Sequence, residues 1–92
     1  MNLPFSIDLS GKTVAITGAG GIICGEFAKA LGLCGANVAL LDINYDAAEK
    51  IADEIGENAI AIRCNCLDKE SIKSAYSTII EAFGGVDILI NG

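Results

Sequence analysis

Three glycines within four residues follow a short apolar run, and glycines in that context can bind phosphate. Gly18, Gly20 and Gly21 come directly after the segment TVAIT, residues 13–17. Gly18 allows a tight turn and a close approach of the backbone to a ligand, because glycine has no Cβ. A helix that follows presents free N–H groups and a positive dipole end to a pyrophosphate. The alternative is an ordinary turn between a strand and a helix that happens to be rich in glycine.

One carboxylate discriminates between these two interpretations. Asp42 ends a second apolar run, NVALLD at 37–42, and lies about 24 residues after Gly18, near the spacing of dinucleotide-binding folds. A carboxylate there can accept hydrogen bonds from both hydroxyls of an adenosine ribose, and it repels a 2′-phosphate. We therefore expect NAD to be bound in preference to NADP. The alternative is an aspartate that only caps a helix or faces solvent.

The fold class follows from apolar runs that alternate with helical periodicity. Buried strands are predicted at 13–17, 37–42, 59–64 and 86–91. Helices are predicted at 22–34, from Asn44 to Gly56, and from Asp68 to Gly84-Gly85. The order β-α-β-α-β-α-β with continuous apolar strands indicates a parallel sheet covered on both faces. This is a three-layer α/β/α arrangement, the Rossmann-like half of a doubly wound fold.

Apolar residues at helical spacing support each of the three helices. In the first helix they are Ile23, Phe27, Leu31 and Cys34. In the second they are Ala48, Ile51, Ala52 and Ile55. In the third they are Ile72, Ala75, Tyr76, Ile79, Ile80 and Phe83.

Four short segments follow the predicted strands and are expected to converge. In an open parallel sheet the ligand binds beyond the carboxyl ends of the strands. The segments at those ends are 17–21, 42–44, 65–66 and 91–92. Their convergence on one edge supports a ligand site more strongly than any single motif does.

Charge and composition exclude several classes of protein. The net charge is −6, and six Lys and Arg residues are spread along the chain, so no basic surface for nucleic acid is expected. No apolar run is long enough to cross a membrane. No signal-peptide pattern precedes the four cysteines, so we expect a cytoplasmic protein with free thiols.

The cysteines are expected to be structural and not metal ligands. Cys64 and Cys66 have C-x-C spacing, which puts both side chains on one face of a strand. A structural zinc site needs about four ligands, and the chain has no histidine. Packing as small apolar residues is therefore the preferred interpretation, and no metal is expected. A redox role for Cys24 at a helix N-terminus is the minor alternative.

Three segments occur together in the order and spacing of a known family. LSGKTVAITGAGG (9–21), NVALLDIN (37–44) and FGGVDILING (83–92) resemble the N-terminal part of the classical short-chain dehydrogenases/reductases. The resemblance covers residues 1–92 and implies one NAD(P)-binding Rossmann domain. TGAGGIICG (17–25) and ILING (88–92) look most like the bacterial sugar-acid subgroup labelled D-mannonate oxidoreductase or fructuronate reductase.

The resemblance implies roles in the phosphate loop, with one departure from the family pattern. Gly18 and Gly21 would belong to the pyrophosphate loop, and Ile23 would present its backbone to the phosphates. The classical pattern TGxxxGxG has glycine where this chain has Ile22 and Cys24. The expected loop therefore has altered glycine spacing.

The resemblance also implies roles around the adenosine. Asp42 would bind the adenosine ribose, with Ile43 beside the adenine. Asn65 and Cys66 would flank the adenine edge, and Asn65 stands where the family usually has aspartate. Asn91 would begin a turn that braces the sheet and touches the adenosine half.

The family's catalytic residues are not matched in this chain, so we assign no catalytic residue here. The family uses a serine and a Tyr-x-x-x-Lys pair on later elements. Tyr45 is followed by Glu49 and Tyr76 by Ile80, so neither tyrosine has lysine four residues on. The 92-residue chain is therefore expected to be inactive by itself.

The resemblance implies what the intact enzyme does. It would be an NAD-dependent oxidoreductase that moves a hydride between NAD(H) and a secondary alcohol or ketone. A sugar acid such as D-mannonate or fructuronate is the substrate that the subgroup suggests. The intact parent would form a homodimer or homotetramer.

Two other functions remain open at the level of sequence. One is a non-catalytic dinucleotide-binding module, and the other is a structural remnant that binds nothing. The last run, VDILIN at 86–91, is apolar except for Asp87 and Asn91, which predicts a neighbouring strand on its open edge. We therefore expect a piece of a longer chain.

Overall fold

The computed structural model describes residues 7–92, in which strands and helices alternate along the chain. The strands are β1 (Thr13–Thr17), β2 (Asn37–Asp42), β3 (Ala59–Arg63) and β4 (Ile88–Ile90). The helices are α1 (Ile22–Leu33), α2 (Tyr45–Ile55) and α3 (Lys69–Phe83). The predicted α/β class and element order are confirmed. A single domain over 1–92 stays a prediction, and the first six residues of that range lie outside the described ones.

The four strands form one parallel sheet in the order β3-β2-β1-β4. The chain runs outward from β1 through β2 to β3 and then returns to place β4 on the other side of β1. The strand order therefore reverses between β1 and β4. In open α/β sheets a crevice forms at the carboxyl ends of the strands beside such a reversal.

A hydrophobic cluster lies on each face of the sheet, which confirms the three layers. On one face, Val14 and Leu40 are fully buried beneath α1 and α2, together with Ala28 and Ala48. On the other face, Ala39 packs beneath α3 with other buried residues, namely Ala15, Leu41, Ile62, Cys64, Ala75 and Ile79. Successive residues of a strand point to opposite faces, so continuous apolar strands supply both clusters.

The predicted apolar stripe of α1 is wrong for Ile23 and Phe27, whereas Leu31 packs against the buried core as expected. Ile23 and Phe27 were expected on the apolar stripe, but they are 80% and 53% exposed. Gly25 and Ala28 are buried instead. A Cβ on Gly25 would lie 3.1 Å from Ile51 Cδ1, so small residues on this face let α1 pack closely against α2. Ile23 and Phe27 therefore point outward.

The predicted stripe of α2 is confirmed, since Ile51 and Ile55 also pack against the core. In α3 the prediction is wrong for Ile72, Tyr76 and Ile80, which are 46%, 52% and 42% exposed. Ala48 and Ala52 are the buried residues of α2, and Ala75 and Ile79 are those of α3. The end of α2 at Gly56 is confirmed as well. Within residues 7–92 no helix combines the length and the apolar character that crossing a bilayer requires.

Three element ends differ from the prediction. The last strand covers only 88–90 of the predicted 86–91, because the Asp87 carboxylate and not a strand carbonyl accepts the Thr13 N–H, at 2.8 Å. The third strand ends at Arg63, although Cys64 N still donates to Asp42 O at 3.1 Å. The first helix ends one residue early, at Leu33.

Two neighbouring isoleucines of α3 test the packing of the sheet. Ile79 is 2% exposed and Ile80 is 42% exposed. Ile79→Ala removes buried methyl groups and leaves a cavity, so we expect a loss of about 2–4 kcal/mol in the free energy of unfolding. Ile80→Ala, the matched control, should cost less than about 1 kcal/mol. Urea unfolding followed by circular dichroism measures both, and equal losses would contradict the layer arrangement.

Candidate functional site

The carboxyl ends of β1, β2 and β4 meet at one rim of the sheet, as predicted. Gly92 N donates to Thr17 Oγ1 at 3.1 Å, which joins the end of β4 to that of β1. Ala19 N donates to Leu41 O at 3.2 Å, which joins the loop after β1 to the end of β2. The rim is therefore held together by hydrogen bonds between neighbouring strand ends.

The loop after β1 turns tightly at a residue that needs to be glycine. Gly18 has φ of +66°, a left-handed conformation that a side chain with Cβ disfavours. Gly21 N donates back to Gly18 O at 3.1 Å and closes the turn. A Cβ on Gly18 would also lie 3.5 Å from Gly92 O, so the backbone passes close to the end of β4.

The N-terminus of α1 is open, whereas those of α2 and α3 are capped. Gly21 occupies the N-cap of α1 without a side-chain hydrogen bond, and no acidic residue lies in the first turn. The predicted caps of the other helices are confirmed: Asn44 accepts from Ala47 N in α2, and Asp68 accepts from Glu70 N in α3. The first amides of a helix have no partner within the helix. In α1 they remain available to an anion.

The Asp42 carboxylate lies at the same rim as the glycine loop and points toward it. Its Oδ2 accepts from Gly20 N at 2.8 Å, and its Oδ1 accepts from Asn44 N at 2.9 Å. The residue is half-buried. Because an ionised carboxylate has about four acceptor positions, both oxygens retain capacity for further donors. Asp42 does not cap α2, since Asn44 occupies that place.

The sequence analysis names Gly20 among the three glycines of the loop but assigns it no role of its own. A Cβ at this position would lie 2.7 Å from Ala47 Cβ and 2.9 Å from Asp42 Oδ2. The loop therefore reaches the carboxylate only because Gly20 has no side chain. The available signal was a third glycine in the loop together with the small Ala47-Ala48 pair at the start of α2.

A groove with a volume of about 510 Å³ opens beside Asp42. Its lining comes from the start of α2 and the end of β3, namely Ile43, Asn44, Tyr45, Asp46 and Arg63. Ile43 is 60% exposed at the rim. Arg63, which the sequence analysis did not single out, pairs in register with Asp42. A basic residue therefore occupies the position of β3 that lies beside the backbone of Asp42.

The segment after β3 is organised by its own hydrogen bonds. Asn65 Oδ1 accepts from Leu67 N at 3.0 Å, so the side-chain oxygen closes a local turn. Cys64 is buried as predicted, whereas Cys66 is exposed. Desolvation of the thiol, followed by the neighbouring Cys64, raises the pKa of Cys66. This cysteine is therefore a weak nucleophile near neutral pH.

The remaining predicted residues lie at the two ends of the rim. Ile23 belongs to the first turn of α1 and its side chain is exposed. Asn91 follows β4, and its Oδ1 lies 3.5 Å from Thr17 Oγ1. Across the part of the chain that the structure describes, no three metal-binding side chains group together.

Neither tyrosine has the surroundings of a general acid or base. Tyr45 Oη donates to Glu49 Oε2 at 2.8 Å, and this bond raises the Tyr45 pKa above its usual value. A catalytic tyrosine needs a pKa close to the working pH, so the shift has the wrong direction. Tyr76 is 52% exposed on α3.

A parallel sheet, a glycine turn that opens a helix and a carboxylate at the end of the second strand are the features of a Rossmann-type fold. Residues 12–92 match the family model described as short chain dehydrogenase. The chain belongs to that family.

Curated relatives are oxidoreductases about three times as long as this chain. An uncharacterised oxidoreductase of Haemophilus influenzae is 46% identical over an alignment of 95 positions, which covers 100% of this chain and 33% of that protein. The 7α-hydroxysteroid dehydrogenase of Escherichia coli is 39% identical over 89 positions, which covers 94% of this chain and 35% of the enzyme. The chain therefore spans about a third of the length of these relatives.

Solved structures of related proteins share the fold. A candidate D-mannonate oxidoreductase from Haemophilus influenzae with bound NAD has a TM-score of 0.87 and 45% identity, with 90% of this chain and 31% of that one covered. The 3-ketoacyl-(acyl-carrier-protein) reductase of Brucella melitensis in complex with NADH has a TM-score of 0.86 and 35% identity, with 89% and 34% covered.

Two adjacent glycines test the geometry of the loop. Gly20→Ala forces its Cβ against Ala47 and the Asp42 carboxylate, whereas a Cβ on Gly21 would meet only Gly18 O, at 3.3 Å. We expect Gly20→Ala to lower the free energy of unfolding by about 1–3 kcal/mol and Gly21→Ala to lower it less. Thermal or urea unfolding measures both. A larger effect of Gly21→Ala would contradict the loop conformation.

Proposed function

We propose that this chain binds NAD(H), with the pyrophosphate at the N-terminus of α1 and the adenosine ribose on Asp42. The observation that carries the proposal is the 2.8 Å hydrogen bond between Gly20 N and Asp42 Oδ2. It brings the phosphate loop and the ribose carboxylate to one rim. The bound NAD and NADH of the two solved relatives support the same cofactor class.

The phosphate subsite consists of backbone groups. Gly18 and Gly21 shape the turn, and the amides of the first turn of α1 face the pyrophosphate. Ile22 does not fill the turn in place of the family's glycine, because its side chain is 89% exposed. Cys24 replaces the second family glycine, and its Sγ occupies the space that a side chain on Gly92 would need. The altered glycine spacing is therefore compatible with an open helix N-terminus.

The ribose subsite determines the choice of cofactor. The free acceptor positions on Asp42 suit the 2′- and 3′-hydroxyls of the adenosine ribose. A 2′-phosphate would face this negative charge at close range and be repelled. NAD(H) is therefore the preferred cofactor over NADP(H).

The proposed adenine site lies between the ends of β2 and β3. Ile43 offers an exposed apolar side chain beside Asp42, and Asn65 and Cys66 form the opposite edge. Asn65 would border the adenine with its backbone and with the turn that its side chain closes, because its side-chain oxygen already accepts from Leu67 N. Asn91 braces the loop from the side of β4 through Thr17.

In an enzyme of the relatives' full length, this portion would hold the cofactor for an oxidoreductase. When bound, NAD(H) supplies the hydride chemistry, and the substrate would be a secondary alcohol or ketone. The candidate D-mannonate oxidoreductase among the relatives supports a sugar acid such as D-mannonate or fructuronate. We also propose a homo-oligomer for the full-length enzyme. Four free cysteines support the reducing cytoplasm as its location.

Titration with the two reduced cofactors tests the proposal. We expect NADH to bind the 92-residue chain at least about tenfold more tightly than NADPH, because Asp42 repels the 2′-phosphate. The fluorescence of the reduced nicotinamide reports binding, and size-exclusion chromatography verifies that the chain is folded and monodisperse. Tighter binding of NADPH, or no binding of either cofactor, would contradict the proposal.

A pair of substitutions at Ile22 tests the phosphate subsite separately. Ile22→Glu places a negative charge in the first turn of α1, where it should stabilise the helix by about 0.3–1 kcal/mol. The same charge should weaken NADH binding about threefold or more relative to Ile22→Gln, the neutral control. Opposite effects on stability and affinity are thus expected. Equal NADH affinity for both variants would place the pyrophosphate elsewhere.

A further inference from the structure

We propose that Asp42 is also a positioning residue, which holds the glycine loop in its phosphate-binding conformation by accepting the hydrogen bond from Gly20 N. We call this hydrogen bond the clasp. This inference rests on the proposed NAD(H) site. It adds a role for Asp42 that does not involve the ribose. The choice of cofactor and the shape of the phosphate loop would then depend on the same side chain.

Three consecutive amides of the loop are bonded within the protein. Ala19 N donates to Leu41 O, Gly20 N donates to Asp42 Oδ2, and Gly21 N donates to Gly18 O. These amides fix the loop and do not face a ligand. The pyrophosphate is therefore left to the amides that begin at Ile22.

Of these three bonds, only the one at Gly20 depends on a side chain. The other two acceptors are backbone carbonyls, which no substitution removes. The bond at Gly20 is charge-assisted, with a donor–acceptor distance of 2.8 Å, and such bonds are stronger than neutral ones. A substitution at Asp42 can therefore remove the clasp and leave the other two hydrogen bonds of the loop in place.

The clasp also connects the starts of two helices. Asp42 Oδ1 accepts from the N–H of Asn44, the N-cap residue of α2, while Oδ2 accepts from the loop before α1. The side chain of Ala47 in α2 packs against Gly20, since a Cβ on Gly20 would lie 2.7 Å from Ala47 Cβ. A shift of the carboxylate would therefore move the loop relative to α2.

One consequence concerns attempts to change the cofactor. Replacing Asp42 by a small neutral residue removes the repulsion of a 2′-phosphate, and it also leaves the Gly20 amide without its acceptor. The loop then has more freedom, and part of the binding energy of any dinucleotide is spent on ordering it. The variant gains tolerance of NADPH but binds the pyrophosphate of both cofactors less well.

A ligand without ribose hydroxyls separates the two roles of Asp42. If Asp42 acts only through the ribose, Asp42→Ala should bind 2′,3′-dideoxy-ADP as well as the native chain does, or better. The clasp predicts binding that is weaker by about threefold or more. Asp53→Ala, which removes an exposed carboxylate farther along α2, is the matched control and should stay within about twofold. Equal or tighter binding of dideoxy-ADP by Asp42→Ala would overturn the clasp.

Amide hydrogen exchange of the ligand-free chain gives a readout that does not depend on the cofactor. The Gly20 amide should exchange at least about tenfold faster in Asp42→Ala than in the native chain, and Asp53→Ala should not change it. If Asp42→Ala does not fold, Asp42→Val takes its place, because valine suits a strand and offers the Gly20 amide no acceptor. Equal Gly20 exchange rates in the native and substituted chains would overturn the clasp.

The two readouts distinguish the clasp from the proposed function. A protected Gly20 amide in a chain that binds neither NADH nor dideoxy-ADP would leave the clasp intact and refute the NAD(H) site. An unprotected Gly20 amide in a chain that binds NADH would refute the clasp and leave the site intact.

Discussion

The hydrogen bond between the Gly20 amide and the Asp42 carboxylate joins two loops that are distant in sequence. One loop leads from β1 into α1, and the other leads from β2 into α2. The bond is possible because Gly20 has no Cβ and because Ala47 in the adjoining helix is small. Both α1 and α2 can then begin at the same rim of the sheet. The open amides of α1 lie on this rim together with a carboxylate that retains free acceptor positions.

The sheet provides the rigid base for this rim. Parallel strands in the order β3-β2-β1-β4 bring all carboxyl ends to one edge, and buried aliphatic residues on both faces hold the strands in place. The helices lie close to the sheet because small residues, such as Gly25 and Ala28, occupy the contact face of α1. The rim is held in place by this packing. The last strand, in contrast, is open to solvent, since Leu89 is 61% exposed.

The sequence predicts most of the fold because the periodicity of its apolar residues differs between strands and helices. It also predicts the position of Asp42 at the rim, since the carboxyl end of a strand is fixed by topology. Two residues of the α1 stripe are mispredicted because hydrophobicity alone favours Ile23 and Phe27, whereas the close contacts of α1 are made by Gly25 and Ala28. The role of Gly20 is missed because it depends on the distance between Gly20 and Ala47, which are far apart in sequence. The last strand is shorter than predicted because Asp87 replaces a backbone acceptor.

The central claim is that an adenine dinucleotide lies along this rim. The most direct measurement is a ¹⁵N–¹H correlation spectrum of the chain recorded during titration with NADH. The account predicts that the largest shift changes occur at the amides of Ile22, Ile23 and Cys24 and at Ile43. Residues at the opposite edge, such as Gly35 and Gly56, should stay unchanged. Changes that cluster at that opposite edge, or a spectrum that NADH leaves unaltered, would contradict the account.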